Sequence, residues 1–406
     1  MTRLLRMITL VTLSLVSLSC QTPGSPDQRS TIAEVSGRMP ETFKVLTYNA
    51  LHGLLTGTFG VAPGETPEQN EIRFRLLIAQ LARVQPDIAF LQEVNPLPRR
   101  AEAYVGALGE LGLAYDEVHQ VDACGIRASE KRALFTELNN GLVILAKKQL
   151  RLRKLAGVKL SGDAGQCRTE RGFQLGELRY ALIAEMTIPM SSRRHLVATT
   201  HLHSGFETGR SFLAYLASLH SQGRLSKYRS LRWSVEQSRL RRIGEIDLLN
   251  RALQKLKREE DYAGILFGGD LNFESDDPEY EEIQLLRYVD TTRVNGQNAG
   301  FYTADPLRNR LIPDAMTSPL PSVLTDMIGG EGDDLQAEII RAYRTEMQRP
   351  RQIDYLIEDS FLPGYCLTQS IFGLETDEAG LPASDHYGLL NSYVLSPEVC
   401  ARPGTL

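Results

Sequence analysis

GILFGGDLNFES, residues 264–275, holds a short apolar run, Gly264–Gly269, that stops abruptly on Asp270 and Asn272. A run of this length bounded by glycine and polar residues reads as a buried strand. Strand residues two apart point to the same side, so Asp270 and Asn272 can address one point in space. The same arrangement recurs on either side of it. Asn49 ends the alternating run Phe43–Tyr48, Glu93 ends Ile88–Gln92, and His201 ends Leu196–Thr200 with His203 just beyond. Asp385 and His386 open the last run, Tyr387–Leu395, and being adjacent they diverge and can do different jobs. Any one of these would pass as an ordinary strand cap. Five together mark a site, because the loops at strand ends are where sites are usually built.

Between these strands lie helical patterns. Ile72, Leu76, Ile78, Leu81 and Ala82 fall at helical spacings over 68–84, and Pro86-Asp87 breaks the chain before the next strand. Residues 235–258 form the clearest helix, with Leu240, Ile243, Ile246, Leu249, Leu253 and Leu256 as one apolar stripe and the charges read as a solvated face. Leu142–Ala146, Ala181–Ile188, Ile265–Phe267 and Ile353–Ile357 are further strand candidates. Residues 204–233 and 305–350 are polar, mixed in pattern and read as insertions. Strands interleaved with helices around one core predict an α/β or α+β domain, here a single one over 41–398.

Of 406 residues, 42% are apolar and 23% charged, which excludes a disordered, collagenous or polytopic membrane chain. A net charge of −5 argues against a globally basic phosphate-binding surface. The absence of GxxxxGK[ST], G-x-S-x-G and a post-strand GxGxxG disfavours Walker ATPases, serine esterases and Rossmann dehydrogenases. Arg3 and Arg6 precede the apolar stretch Met7–Leu18 and then Ser19-Cys20, an export-signal pattern too short to span a bilayer as a helix. Residues 1–20 resemble a bacterial lipoprotein signal, with Ser17 where Leu is usual; this implies a lipidated Cys20 followed by a flexible tether over 21–40. Cys124, Cys167, Cys366 and Cys400 suit two disulfides in an exported chain. Cys124–Cys167 and Cys366–Cys400 is the most local pairing, but the connectivity stays open. No CxxC motif supports a structural zinc site.

The ordered segments VLTYNALHG (45–53), PDIAFLQEV (86–94), NNGLVILAK (139–147), ATTHLHSG (198–205), GILFGGDLNFES (264–275), RQIDYLI (351–357) and ASDHYGLL (383–390) together resemble the endonuclease/exonuclease/phosphatase superfamily. That resemblance implies a four-layered α/β/β/α sandwich of two mixed β-sheets with outer helices. It also implies phosphodiester hydrolysis by an activated water, with Mg²⁺ as the cofactor and Mn²⁺ or Ca²⁺ as alternatives. By the same resemblance Glu93, Asn49 and Asp385 hold the metal; Asp270 polarises the attacking water; and Asn272 donates to a phosphate oxygen. His386 contacts the scissile phosphate as base or charged donor, oriented by Asp354. His201 is a second donor, and Asn140 a polar contact. Such roles suit a hard divalent cation, which takes oxygen ligands. A zinc site on His201 and His203 is the competing metal reading. His52, His119, His195 and His220 are read as structural or solvent-facing, and Trp233 as core.

THLHSG and the helix beginning VEQSRLRRIGEI resemble neutral sphingomyelinases, which implies a phospholipid substrate. A DNase-like nuclease, an inositol or sugar phosphatase, and an inactive surface-anchored binding protein are the alternatives. Partners follow from this: a phospholipid headgroup or nucleic acid, and a bacterial membrane held through Cys20, on the periplasmic or cell-surface side. Phe206, Phe212, Tyr215, Leu216, Leu219 and Leu225 in 204–233 either touch lipid or pack as an ordinary helix.

Overall fold

The computed structural model describes residues 42–51, 66–128, 135–162, 165–167, 173–174, 178–189, 193–205, 209–293, 301–312, 320–363 and 365–394, with backbone alone for 67, 124–128, 135–138, 166, 173 and 174. The expected signal (1–20), tether (21–40), His52 and Phe206 lie outside these residues, as do Cys400 and the side chain of Cys124. Cys167 and Cys366 are both disulfide-bonded.

In chain order the elements are β1 (Thr42–Asn49), α1 (Pro67–Val84), β2 (Ile88–Val94), α2 (Arg99–Glu110), β3 (Tyr115–Ala128), β4 (Phe135–Lys147), β5 (Arg153–Gly162), the two-residue β6 (Gly165–Gln166) and β7 (Phe173–Gln174), β8 (Leu178–Ile188) and β9 (Arg193–His201). They continue with α3 (Arg210–Ser221), α4 (Tyr228–Glu259), β10 (Tyr262–Asp270), α5 (Pro278–Leu285), β11 (Val289–Asp290), α6 (Ser322–Ile328), α7 (Asp333–Met347), β12 (Asp354–Asp359), β13 (Cys366–Phe372) and β14 (Gly388–Val394). One six-stranded sheet runs β13-β14-β1-β2-β4-β3 and the other β11-β12-β10-β9-β8-β5. Each contains one parallel pair, β1/β2 and β9/β10, among antiparallel neighbours. Both sheets are therefore mixed, as the family resemblance implies.

A parallel pair needs a crossover helix. α1 supplies the first, and its limits are written in the sequence: Thr66 and Gln69 form a capping box, Pro67 opens the first turn, and Gln85 closes the helix in the left-handed region. The chain between β9 and β10, with α3 and α4, supplies the second. Val45, Phe90, Leu182, Val197, Leu266 and Leu356 fill the space between the sheets, joined to the residues that α1 and α2 bury. On the far side Ile246, Leu249 and Leu253 of α4 cover Ala181, Ile183, Leu196 and Ile265. Four layers result.

Two sequence expectations change here. Trp233 is 65% exposed and is not core, and Leu240, seven residues on, is 51% exposed and lies outside the apolar stripe. The helix begins seven residues earlier than expected, at Tyr228, and its buried line is Leu231, Val235, Ser238, Arg242, Glu245, Ile246, Leu249 and Leu253. Hydrophobic periodicity misassigned this face because two charged side chains occupy it. The apolar residues of 204–233 take the helix reading: Phe212, Leu216, Leu219 and Leu225 are buried against Leu324, Met327, Ile339 and Tyr343 of α6 and α7.

His195 of β9 shows what burial does to a titratable group. It is 3% exposed, edge-on to Phe361 at 5.2 Å, and its Nδ1 has no hydrogen-bond partner. Burial, helped by Arg193, pushes its imidazole from 6.5 down to about 4. Above pH 6.5 the ring is neutral folded or unfolded. Between 6.5 and 4 the unfolded chain binds the proton first, so stability falls as pH falls, by up to about 3 kcal/mol. Urea midpoints from pH 7 to 4 should therefore decline less for His195→Phe than for the parent. Parallel declines would contradict this assignment.

Candidate active site

The topology brings the chemistry together. β1, β2, β9 and β10 end on the same edge of the sandwich, and β12 and β14, which run antiparallel to them, begin there. In register, His201 faces Asp270 across β9/β10 and Asp270 faces Asp354 across β10/β12. The two glycines before Asp270 allow this approach. A Cβ on Gly269 would lie 1.9 Å from the Thr200 carbonyl oxygen, and one on Gly268 2.7 Å from Leu356 in the inter-sheet core. Gln92 ties the two sheets beneath the cleft, donating to Thr199 Oγ1 at 2.9 Å and Thr47 Oγ1 at 3.3 Å.

Asp270 Oδ2 is the centre. Asn49 Nδ2 donates to it at 3.1 Å and to Glu93 Oε1 at 3.1 Å. His201 Nε2 lies 3.5 Å from Asp270 Oδ2, with Nδ1 3.8 Å from Glu93 Oε1, and His386 Nε2 lies 3.7 Å away on the other side. His386 Nδ1 is held by Asp354 Oδ2 at 2.8 Å. Asn272 braces the cluster from below: its backbone N–H donates to Asp270 Oδ1 at 3.1 Å and its Nδ2 to the Leu202 carbonyl at 3.0 Å. Glu93 and Asn272 both have φ of 55°, a conformation that costs a non-glycine residue on the order of 1–3 kcal/mol and concentrates at functional sites. At Glu93 it coincides with a break in the β2/β4 register between Leu91 and Val94, which re-aims the side chain.

Asp385 and His386 lie in the loop just before β14 rather than in the strand. Ser384 organises them: its hydroxyl donates to the Asn49 carbonyl at 2.6 Å and accepts the His386 N–H at 3.2 Å. Burial raises the Asp385 carboxyl, with Glu93 adding to the effect while His386 and Arg73 oppose it. Burial alone would push His386 down, but the Asp354 carboxylate against Nδ1 outweighs it, aided by Asp270 and Asp385, and holds the imidazole well above its ordinary value. Asn140 sits on β4 beside the Val94–Gly141 pairing, at the edge of the cleft, with its Oδ1 buried and unpartnered. The His203 backbone N–H donates to Glu245 Oε2 at 2.9 Å.

Four supporting residues were not foreseen. Thr303 Oγ1 accepts the N–H groups of Ile353 and Asp354 at 3.1 Å each and so positions Asp354; it falls between the recognisable segments and carries no sequence signal. Arg73 donates to the carbonyls of Ala50, Leu51 and Ala383, tying the ends of β1 and the Asp385 loop to α1. Arg242 and Glu245, on the charged face of α4, grip the 203–204 backbone instead of facing solvent.

The residues present fit a hard cation. Glu93, Asp270, Asp354 and Asp385 bring four carboxyl groups to one cleft, and Asp354 Oδ1 is buried without a hydrogen-bond partner. Asp270, Asp354 and His386 each offer a ligand atom within 4.8 Å of the others. Oxygen-rich donor sets of this kind suit Mg²⁺, Mn²⁺ or Ca²⁺ rather than a thiolate-seeking metal.

Two mixed sheets with an acidic, histidine-bearing cleft across their shared edge define the class, a two-sheet α/β sandwich. The chain belongs to the endonuclease/exonuclease/phosphatase family, whose sequence model matches residues 46–386, and members of that family are hydrolases of phosphoester bonds. Among curated proteins none matches the chain. Among solved structures it is similar to TDP2 from Caenorhabditis elegans, with a TM-score of 0.51 and 16% identity over 87% of this chain and 75% of that one. It is also similar to an endonuclease/exonuclease/phosphatase family protein from Bacteroides thetaiotaomicron, with a TM-score of 0.50 and 11% identity over 90% of this chain and 98% of that one. At these identities the likeness is one of fold.

Proposed function

We propose that this chain is a divalent-metal-dependent phosphodiesterase, with Mg²⁺ as the resident cation and a phospholipid headgroup as substrate. The convergence of Asn49, His201 and His386 on Asp270 Oδ2, with Glu93 beside them, carries the reading. Asn49, whose Oδ1 accepts the Leu51 N–H, steadies the Glu93 carboxylate through Nδ2, while Glu93 and Asp385 would hold the cation. Bound there, it supplies neutralisation of charge on the transferring phosphoryl group. Asp270 holds the attacking water and accepts its proton. His386, wedged between the Asp354 and Asp270 carboxylates, donates to a non-bridging phosphate oxygen, and His201 is a second donor, while Asn272 braces Asp270 from below. The phospholipid assignment rests on the THLHSG segment and on the lipoprotein-type leader, which would hold the domain at a membrane, exported from the cell; oxidised Cys167 and Cys366 accord with that compartment.

Protein from residue 21 onward, assayed with sphingomyelin liposomes, anionic phospholipid liposomes and plasmid DNA, each with Mg²⁺ or chelator, tests the proposal. The expected result is chelator-sensitive release of headgroup from lipid. Turnover of DNA alone would move the substrate to nucleic acid, and chelator-insensitive or absent turnover would remove the reading. Asp354→Asn should lower kcat on the order of 10²-fold with little change in KM, because it frees the His386 ring without removing a substrate contact. An unchanged kcat would exclude that positioning role.

A further inference from the structure

A shallow cleft lies between α1 and α2 and opens beside Glu93; Asn70, Arg73, Phe74, Arg100 and Tyr104 line it. Its polar end is built in advance. The Arg100 guanidinium lies over the Phe74 ring, 4.9 Å from its centroid, and Phe74 stacks on Tyr104 at 5.6 Å and 13°. Arg100 Nε donates to the Asn95 carbonyl at 3.4 Å and one Nη to Asn70 Oδ1. Among the described residues Arg100 pairs with no carboxylate, and its other Nη makes no hydrogen bond. A guanidinium fixed on an aromatic face with donors to spare is arranged for an oxyanion, since little ordering remains to be done on binding. The Arg73 guanidinium in the cleft wall adds positive charge of its own. A quaternary ammonium would meet the Arg100 and Arg73 guanidinium groups, with Glu93 as the one carboxylate of the lining.

We propose that this cleft is a subsite for a second anionic group of the substrate, a carboxylate or phosphate carried beyond the scissile phosphate, with Arg100 as the specificity residue. This rests on the phosphodiesterase reading and narrows its headgroup to an anionic one. Arg100 touches that group and not the reacting atoms, so it sets affinity and leaves the chemistry to the Asp270 centre.

Titration calorimetry of the full chain with Mg²⁺ compares three probes that share a phosphate: 3-phosphoglycerate, glycerol 3-phosphate and phosphocholine. The first should bind about tenfold more tightly than the second, as one charge-assisted pair provides, and the third most weakly. Arg100→Gln should abolish the preference and leave glycerol 3-phosphate unchanged, whereas Arg100→Lys should keep part of it. Equal affinities, or a preference that survives Arg100→Gln, would overturn the subsite while leaving the phosphodiesterase reading intact. Failure of all three probes to bind would overturn both.

Discussion

Asp270→Asn should lower kcat by about 10²–10⁴-fold while leaving the fold nearly unchanged. The carboxamide is isosteric, and Asp270 is 2% exposed at the end of a strand whose backbone is already fixed by Leu202 N–H donating to its carbonyl and Leu271 N–H donating to that of Ile353. What is lost is the single acceptor on which Asn49 Nδ2, His201 and His386 converge, and with it the group that, in the proposed mechanism, takes the proton from water. Steady-state kinetics with a soluble phosphodiester, together with a melting temperature, check this. A variant that keeps a tenth or more of the parent kcat would show that another group activates the water.

The second large effect concerns stability. Arg242 and Glu279 are 4% and 0% exposed and pair at 2.7–2.9 Å beneath the site. Arg242 also donates to the His203 carbonyl at 3.2 Å, so the pair fixes the turn that follows His201. Removing one partner of a buried ion pair leaves a charge that the interior cannot solvate. Glu279→Gln should therefore cost about 3–5 kcal/mol, seen as a lower urea midpoint at unchanged slope. The double variant Arg242→Met/Glu279→Met should recover most of that loss, because no unpaired charge remains. A loss below about 1 kcal/mol in Glu279→Gln would show that water reaches the guanidinium.

How much of this could be read beforehand depends on which periodicity carried the signal. Short apolar runs ending in Asp, Asn, Glu or His located β1, β2, β9 and β10 and the residues at their ends, because burial between two sheets and exposure at the edge leave opposite compositions in adjacent positions. Asp354 against His386 Nδ1 was likewise anticipated, from the RQIDYLI and ASDHYGLL segments. α4 departs from the expected stripe at Leu240 because hydrophobicity alone cannot register that Arg242 and Glu245 turn inward to hold a loop. Thr303 acts through two backbone N–H groups and Ser384 through a carbonyl, contacts that any hydroxyl at the right point could make; only the folded backbone shows that they do. The expectation that Asp270 and Asn272 act as strand neighbours also changes: the left-handed turn at Asn272 makes it a brace for Asp270 from below.

The proposed function requires oxygen ligands from separate strands to gather around one cation. Anomalous diffraction from crystals equilibrated with Mn²⁺ tests this most directly. The prediction is a peak within coordination distance of the Glu93 carboxylate, on the side facing Asp270 and Asp385, absent in Glu93→Gln. A peak on His201 and His203 instead, or none at Glu93 at millimolar Mn²⁺, would contradict it.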